Sequence, residues 1–216
     1  MDSNLLEVTP VDVEPKVIVQ NALDIFAAEL SANDVQMEFH VEQSYKDLEV
    51  EWVRLDPSHL MQVLINLTTN TLKFTKTEEH RKIIVSIGAS LHAPARDYRG
   101  ASYLPVTGKL RDLTTRPDWG TGEPLFLHVC VRDTGRGISE SEMKMLFQRF
   151  SQINPKTHID YGGSGLGLYI ARELSEIQGG GNSVTFRVRQ GQRLRFLTSK
   201  SGEATQQIFW PLRLDL

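Results

Sequence analysis

The sequence has few of the residues that disulfide-linked, metal-clustered or membrane-spanning proteins need. Cys130 is the only cysteine among 216 residues, so neither an intrachain disulfide nor a cysteine-based metal cluster can form. No stretch approaches the roughly 20 consecutive apolar residues of a membrane span. The start, Met1–Glu7, lacks the apolar run of a secretory signal. We therefore expect a protein of the reducing cytoplasm with no membrane segment.

The sequence also has no excess of positive charge. Lys and Arg number 24 against 27 Asp and Glu, which gives a formal net charge of −3. Because a nucleic-acid-binding domain normally carries a basic patch, we do not expect nucleic acid as a partner. The composition, 40% hydrophobic and 24% charged, is that of an ordinary globular chain with one sizeable core.

Hydrophobic periodicity predicts the elements of the first half of the chain. Residues 15–31 carry a broad apolar stripe typical of a helix, and Val35–Val41 alternates apolar and polar residues as a half-buried strand does. We expect this strand to form a hairpin with a second strand at Glu51–Leu55. Apolar residues then recur at helical spacing over Leu60–Phe74, after a turn or helix start at Asp56.

Two strong strand candidates, Ile83–Ile87 and Leu125–Val131, flank a poorly periodic stretch at about residues 91–124. This stretch contains four prolines, and we interpret it as a long surface insertion between two paired strands, since so long a structureless loop is unusual inside a compact domain. A last helix is expected over Leu166–Ile177. Helices on one face of a mixed, mostly antiparallel sheet give an α+β fold, a two-layer α/β sandwich.

One face of the helix at Leu60–Phe74 carries Asn66, Asn70 and Lys73. Positions i, i+4 and i+7 of a helix project together. Amide oxygens are hard neutral ligands that suit magnesium when substrate phosphates supply negative charge, and lysine is a point charge for those phosphates. A solvated polar stripe explains the same three residues without any ligand, so this pattern alone does not decide.

Asp133 follows a strand that looks buried and precedes Gly135 and Gly137. A carboxylate in this place can accept a hydrogen bond from an exocyclic amine, which would favour adenine over guanine. The alternative is a simple Asp-Thr-Gly turn between a strand and a helix.

A second glycine-rich loop occupies Tyr161–Ile170 and runs directly into a helical pattern. Gly163, Gly165 and Gly167 would let the backbone approach a polyphosphate closely, and the helix start offers unpaired N–H groups. The loop lacks the Gly-Lys-Ser/Thr of a Walker motif and the βαβ context of a dinucleotide fingerprint. We therefore expect a nucleotide site of neither common type.

Four segments, in order, resemble the motifs of sensor histidine kinases. L-I-N-L-T-T-N-T-L-K-F-T, D-T-G-R-G-I-S, L-F-Q-R-F-S-Q and Y-G-G-S-G-L-G-L-Y-I are similar to the N box, first glycine box, F box and second glycine box. The resemblance covers about residues 5–180, and the insertion is similar to that of fungal hybrid kinases. It implies the Bergerat ATP-binding fold and a protein histidine kinase of a two-component phosphorelay.

The resemblance also implies roles for individual residues. Asn70 would coordinate magnesium with Asn66 close by, Lys73 would contact phosphate, and Asp133 would bind the adenine amine. The other expected ATP-binding residues are Gly135, Gly137, Gly163, Gly165, Gly167 and Leu168. Phe147 and Phe150 would pack in the lid over the site, although both equally suit an ordinary core.

A histidine kinase needs a phosphoacceptor histidine on a dimerisation helix, normally followed by an acidic residue. None of the six histidines has that context: His40, His59, His80, His92, His128 and His158. The expected partners are therefore a dimerisation domain that carries the phosphoacceptor and a response-regulator receiver domain, in cis or in trans. We do not expect the isolated chain to phosphorylate itself.

Two other functions remain open. One is a nucleotide-binding or regulatory module, or degenerate fragment, that no longer catalyses. The other is a Bergerat-type ATPase, which is disfavoured because related ATPases place a catalytic glutamate where this chain has Asn66.

The sequence departs from the family pattern in two places. Thr71 stands where alanine is usual and adds a hydroxyl and a β-branch near the expected site. After a domain at 1–180, residues 181–216 form a divergent tail without the third glycine box. Suitable codons for Arg189–Leu197, read one nucleotide later, can encode Lys-Gly-Ser-Ala-Phe-Ala-Phe, which looks like that box. We hypothesise a frameshift or mis-assigned splice near residue 181; a divergent tail with strands at Val184–Phe186 and Ile208–Trp210 is the alternative.

Overall fold

A seven-stranded mixed sheet carries the longer helices of the chain in a computed structural model of the protein. The structure describes residues 7–92, 97–98, 101–102, 116–119, 122–135, 166–178, 181–186 and 204–214. No helix within these ranges is long and apolar enough to cross a membrane.

The elements follow one another in a mixed α and β order. They are β1 (Val11–Val13), α1 (Pro15–Asp24), α2 (Ala27–Ala32), β2 (Gln36–Val41), α3 (Gln43–Asp47), β3 (Val53–Leu55), α4 (Pro57–Thr75), β4 (Lys82–Ser90), β5 (Asp97–Tyr98), β6 (Ala101–Ser102), a 3-10 helix (Pro117–Trp119), β7 (Glu123–Asp133), α5 (Gly167–Ile177), β8 (Gly181–Phe186) and β9 (Ala204–Leu214). The strand order is β1-β3-β9-β7-β4-β2, with β8 also paired to β9. Only β2 and β4 pair in parallel among the described strands, so the predicted mostly antiparallel sheet is confirmed.

The core lies between one face of the sheet and the helices α1, α4 and α5. Inward side chains of β4 and β7 are almost completely buried: Ile83, Val85, Ile87, Ala89, Leu125, Leu127, Val129 and Val131. The predicted pairing of these two strands is confirmed; it is antiparallel, with Val85 opposite Val131. The period-2 alternation places Asp133 on the same inward face, at the end of β7.

The predicted hairpin between the strands at Val35–Val41 and Glu51–Leu55 is wrong. β2 pairs with β4 at one edge of the sheet, whereas β3 pairs with β1 and β9 on the other side. The connection contains α3 and is too long for a tight hairpin turn. Alternating apolar and polar residues identify a strand but do not indicate which strand it pairs with.

The single helix predicted over residues 15–31 is also wrong, because the chain forms α1 and α2 with a break at Ile25 and Phe26. Ile25 is 61% exposed while Phe26 is 6% exposed. Phe26 lies three and four residues after the buried Leu23 and Ala22, so it keeps the core-facing position that a continuous helix would also have given it. α2 ends at Ala32, and Asp34 follows with a left-handed φ of 53°.

Asp56 fixes the start of α4 and joins it to two distant segments. One carboxylate oxygen accepts hydrogen bonds from the Ser58 and His59 N–H groups, at 2.9 and 3.2 Å, and the other accepts from the Thr9 N–H at 2.8 Å. The Asp56 N–H donates to Oε1 of Gln178, just after α5, at 3.1 Å. One residue thereby connects the segment before β1, the start of α4 and the end of α5.

Replacing Asp56 by alanine is expected to lower the free energy of unfolding by about 2–4 kcal/mol. The variant loses a helix cap, about 1 kcal/mol, and leaves a partly buried Thr9 N–H without its acceptor, about 1–3 kcal/mol. Urea unfolding checks the value. Asp12→Ala is the matched control, because it removes only the exposed ion pair with Arg54 and should cost less than about 1 kcal/mol. Equal losses in both variants would contradict the role given to Asp56.

The predicted insertion at 91–124 is described only in part. The described pieces are the β5–β6 ladder, the 3-10 helix and the start of β7. Trp119 is 1% exposed and packs in the core, and Nε of Arg54 donates to the Asp118 carbonyl at 2.8 Å. At least one part of this stretch is therefore anchored to the β3 side of the sheet. The rest of the predicted surface insertion lies outside the described residues.

Two of the described strands lie beyond residue 180. β8 and β9 contain the strands expected at Val184–Phe186 and Ile208–Trp210, and β9 lies between β3 and β7 in the sheet. The domain boundary at residue 180 and the frameshift near residue 181 stay predictions.

Candidate functional site

Three polar residues form a row on α4. Asn66, Asn70 and Lys73 are all half-buried, and the regular helix places them on one face, away from the fully buried stripe that includes Leu67 and Leu72. The side chain of Asn70 has no hydrogen-bond partner among the described residues. Its amide oxygen is thus available to an incoming ligand.

Asn66 is held more firmly than Asn70. Its Oδ1 accepts a hydrogen bond from Nε2 of Gln62, one turn earlier, at 3.3 Å. Its Nδ2 is buried without a partner among the described residues. Sequence reasoning missed Gln62, although the i−4 spacing to Asn66 could have indicated it.

The start of α5 lies beside this row. A Cβ atom on Gly167 would stand 3.6 Å from Oδ1 of Asn66, so the first turn of α5 is in contact with α4 here. Unpaired N–H groups and the positive end of the helix dipole favour a negatively charged ligand at such a start. Leu168, the next residue, is partly buried and packs against the core.

Asp133 closes the other end of the site. The residue is 3% exposed, and its Oδ1 accepts a hydrogen bond from the Gly135 N–H at 2.8 Å. A Cβ on Gly135 would lie 2.7 Å from that oxygen and 3.2 Å from the Phe74 carbonyl oxygen, so any other residue here would force the Asp133 carboxyl or α4 to shift. Phe74 therefore packs against the turn that contains Asp133 and Gly135. In the sequence, only its position next to Lys73 pointed to a place near the site.

Burial shifts the pKa values of the two ionisable groups of the site, Asp133 more than Lys73. It raises the pKa of Asp133 to about 7, against smaller lowering effects of the Gly135 N–H and the Thr71 hydroxyl. It lowers the pKa of Lys73, and the charge of Lys76 adds to that effect. Both groups thus favour their neutral forms more than exposed groups would, and a ligand of opposite charge or complementary hydrogen bonding would reverse this.

The donor set suits a magnesium ion held together with phosphates. Within the described ranges, no group of three or more His, Cys, Asp or Glu side chains could hold a metal alone. The amide oxygen of Asn70, unpartnered and half-buried, is the kind of hard neutral ligand that magnesium accepts when phosphates complete its shell. The row on α4 therefore fits the ion only as part of a complex with a polyphosphate.

The structure brings together six of the predicted site residues: Asn66, Asn70, Lys73, Asp133, Gly135 and Gly167. They line one end of the helix layer, between α4, the end of β7 and the start of α5. Gly137, Gly163, Gly165, Phe147 and Phe150 lie outside the described residues. The predicted roles of all these residues stay predictions.

Comparisons with known proteins identify the family. The family model described as histidine kinase-, DNA gyrase B- and HSP90-like ATPase matches residues 55–213. The circadian input-output histidine kinase CikA of Synechococcus elongatus is 33% identical over 142 residues, which cover 66% of this chain and 14% of that protein. Histidine protein kinase 1 of Candida albicans is 29% identical over 167 residues, or 77% of this chain and 5% of that protein. The chain thus spans a small part of either relative.

Solved structures share the fold. The catalytic domain of histidine kinase ThkA superposes with a TM-score of 0.58 at 18% identity, covering 95% of this chain and 98% of that one. Full-length ShkA in complex with AMPPNP gives a TM-score of 0.60 at 18% identity, covering 97% of this chain and 32% of that one. The chain belongs to the histidine kinase-, DNA gyrase B- and HSP90-like ATPase family, and it is an ATP-binding catalytic domain of the histidine kinase type.

Proposed function

We propose that the chain binds ATP with magnesium and transfers the γ-phosphoryl group to a histidine on a dimerisation domain, in the same protein or in another chain. A receiver domain would then take the phosphoryl group, and the reaction would occur in the cytoplasm. The observation that carries the proposal is the convergence of the α4 row, the start of α5 and the buried Asp133 around one end of the helix layer.

Each part of this site has one role in the proposal. The amide oxygens of Asn70 and Asn66 would hold magnesium, which when bound neutralises charge on the phosphates. Lys73 would contact a phosphate directly as a point charge. Asp133 would accept a hydrogen bond from the adenine amine, with Gly135 allowing the base to approach. Gly137, Gly163, Gly165 and Gly167 would line the path of the phosphates, with Leu168 packing beneath them.

Transfer to histidine is favoured over ATP hydrolysis by the chemistry of Asn66. Hydrolysis needs a general base that takes a proton from the attacking water, and a neutral amide cannot do this. A histidine nucleophile supplied by another domain has no such need, because neutral imidazole attacks directly. The proposal therefore assigns the chain positioning and charge stabilisation, which account for most of phosphoryl-transfer catalysis.

The test uses purified chain with magnesium and γ-labelled ATP, with and without histidine-bearing dimerisation segments from several hybrid kinases. We expect nucleotide binding, slow phosphate release and no label on the chain alone, with acid-labile label on an added segment. Fast phosphate release without a segment would favour an ATPase, and binding without either reaction would favour a non-catalytic module. Acid-labile label on the chain alone would contradict the expectation that it lacks the phosphoacceptor.

A further inference from the structure

Thr71 is buried one residue after Asn70, and its hydroxyl has no assigned role in the proposed site. The residue is 0% exposed, and Oγ1 makes no hydrogen bond within the described part of the chain. Its carbonyl is occupied, since Oγ1 of Thr75 donates to it at 2.8 Å. An unpaired buried hydroxyl costs free energy, so the empty protein would be more stable with a valine at this position.

Thr71 precedes Phe74 by one helical turn, and a Cβ on Gly135 would lie 3.2 Å from the Phe74 carbonyl oxygen, so the buried Thr71 hydroxyl lies near the carboxyl of Asp133. It is near enough to lower the pKa of that group, yet it makes no hydrogen bond of normal geometry. Oδ1 of Asp133 already accepts from the Gly135 N–H. An ionised carboxylate has about four acceptor positions, so acceptor positions remain for a hydroxyl and for one further donor.

We propose that Thr71 positions Asp133 for recognition of the base: when an adenine nucleotide binds, the Thr71 hydroxyl donates to the Asp133 carboxylate and holds it as an ionised acceptor for the exocyclic amine. The inference rests on the proposed function, because Asp133 meets an amine only if ATP binds at this site. Thr71 acts through Asp133, since a side chain with no exposed surface does not itself contact the base.

No described charge competes for this role. The charged side chains near Asp133 on the neighbouring segments include Lys73 on α4, Lys76 just after it, Lys82 on β4 and Arg132 on β7. None of them contributes to the shift of the Asp133 pKa, which burial dominates. Among the described residues, only the Gly135 N–H and the Thr71 hydroxyl favour the ionised form. Loss of the hydroxyl should therefore make Asp133 harder to ionise.

The test compares two ligands that differ only in the amine. Affinities for ATP and for purine riboside 5′-triphosphate, which lacks the amine, are measured by calorimetry with magnesium from about pH 5.5 to about pH 8.5. Thr71→Val should weaken ATP binding about tenfold, a typical loss for a hydrogen bond to a charged group, and should leave the analogue within about twofold. It should also move the pH midpoint of ATP affinity upward, because the lost donor favoured the ionised carboxyl.

Two further variants separate recognition from structure. Thr71→Ser keeps the hydroxyl and should restore both the affinity ratio and the pH midpoint. Thr68→Val is the matched control, because Thr68 is also 0% exposed on α4 and its hydroxyl is also unpartnered. Thr68 does not contribute to the shift of the Asp133 pKa. This control should leave the ATP-to-analogue ratio unchanged.

Each outcome bears on one claim. An unchanged ratio in Thr71→Val, or equal losses for both ligands, would overturn the proposal and leave Thr71 a packing residue. The ratio is internal to each sample, so partial unfolding does not imitate the effect, and Thr71→Ala provides a second variant if valine does not fit. Failure of the wild-type chain to bind either triphosphate would instead contradict the proposed function.

Discussion

Asp133→Asn is expected to weaken ATP binding by about a hundredfold, since it removes a charged acceptor from the amine of the base. The same change should also abolish the pH dependence of ATP affinity that arises from ionisation of the Asp133 carboxyl. In the wild-type chain the pKa of Asp133 is raised to about 7, so the fraction able to accept a hydrogen bond grows as pH rises through neutrality. ATP affinity should therefore increase from about pH 6 to about pH 8.

Calorimetry at several pH values measures this effect, with purine riboside 5′-triphosphate as the control for titration of the phosphates. Wild type should discriminate between the two ligands increasingly with pH, whereas Asp133→Asn should discriminate little at any pH. A wild-type ratio that does not change with pH would contradict the assignment of Asp133 to the amine.

Titration of the Asp133 carboxyl also affects stability: the free energy of unfolding should fall with rising pH, whereas ATP affinity should rise. The native carboxyl, with a pKa of about 7 against 3.8 for an exposed aspartate, binds a proton that the unfolded chain releases across the interval between those values. Its contribution to stability is therefore present at low pH and is lost as pH rises through about 7. At roughly 1.4 kcal/mol per pKa unit the upper limit is about 4 kcal/mol. The free energy of unfolding of Asp133→Asn should lack this decline.

Asn70→Ala is expected to remove the magnesium dependence of ATP binding. With magnesium present the variant should bind about a hundredfold more weakly than wild type, and with a chelator the two should bind alike, because only the ligand to the ion is lost. Calorimetry with and without magnesium measures the difference.

The control for Asn70→Ala is Asn21→Ala, which removes an exposed amide from α1, far along the sequence from the site. This variant should match wild type under both conditions. Magnesium-dependent binding that survives in Asn70→Ala would exclude Asn70 as the ligand and would direct attention to Asn66.

Local patterns predicted the parts of the site that lie on one element. The α4 row follows from helical spacing, and the inward direction of Asp133 follows from alternation along β7. The parts that failed depend on distant pairings. β2 pairs with β4, which follows it only after α3, β3 and α4, and nothing in Val35–Val41 indicates β4 rather than β3 as the partner.

Side-chain contacts between different elements could not be predicted from local sequence patterns either. The tight approach of Gly135 to Phe74 joins residues 61 positions apart, and the closeness of Thr71 to Asp133 spans a similar separation. A threonine within a run of buried helical positions looks like packing in any sequence. The role proposed for Thr71 depends on an unpaired hydroxyl near a buried carboxyl, which only the fold brings together.

The bonds made by Asp56 and Gln178 have a mechanical consequence. They pin the last turn of α5 to the start of α4, whereas its first residue, Gly167, touches the α4 row about 16 Å away at 1.5 Å per residue. A helix held at its C-terminal end can rotate about that end but resists a shift along its axis. We therefore expect any adjustment of α5 to a bound polyphosphate to be a rotation about Gln178, largest where the phosphates would lie and smallest at Gln178.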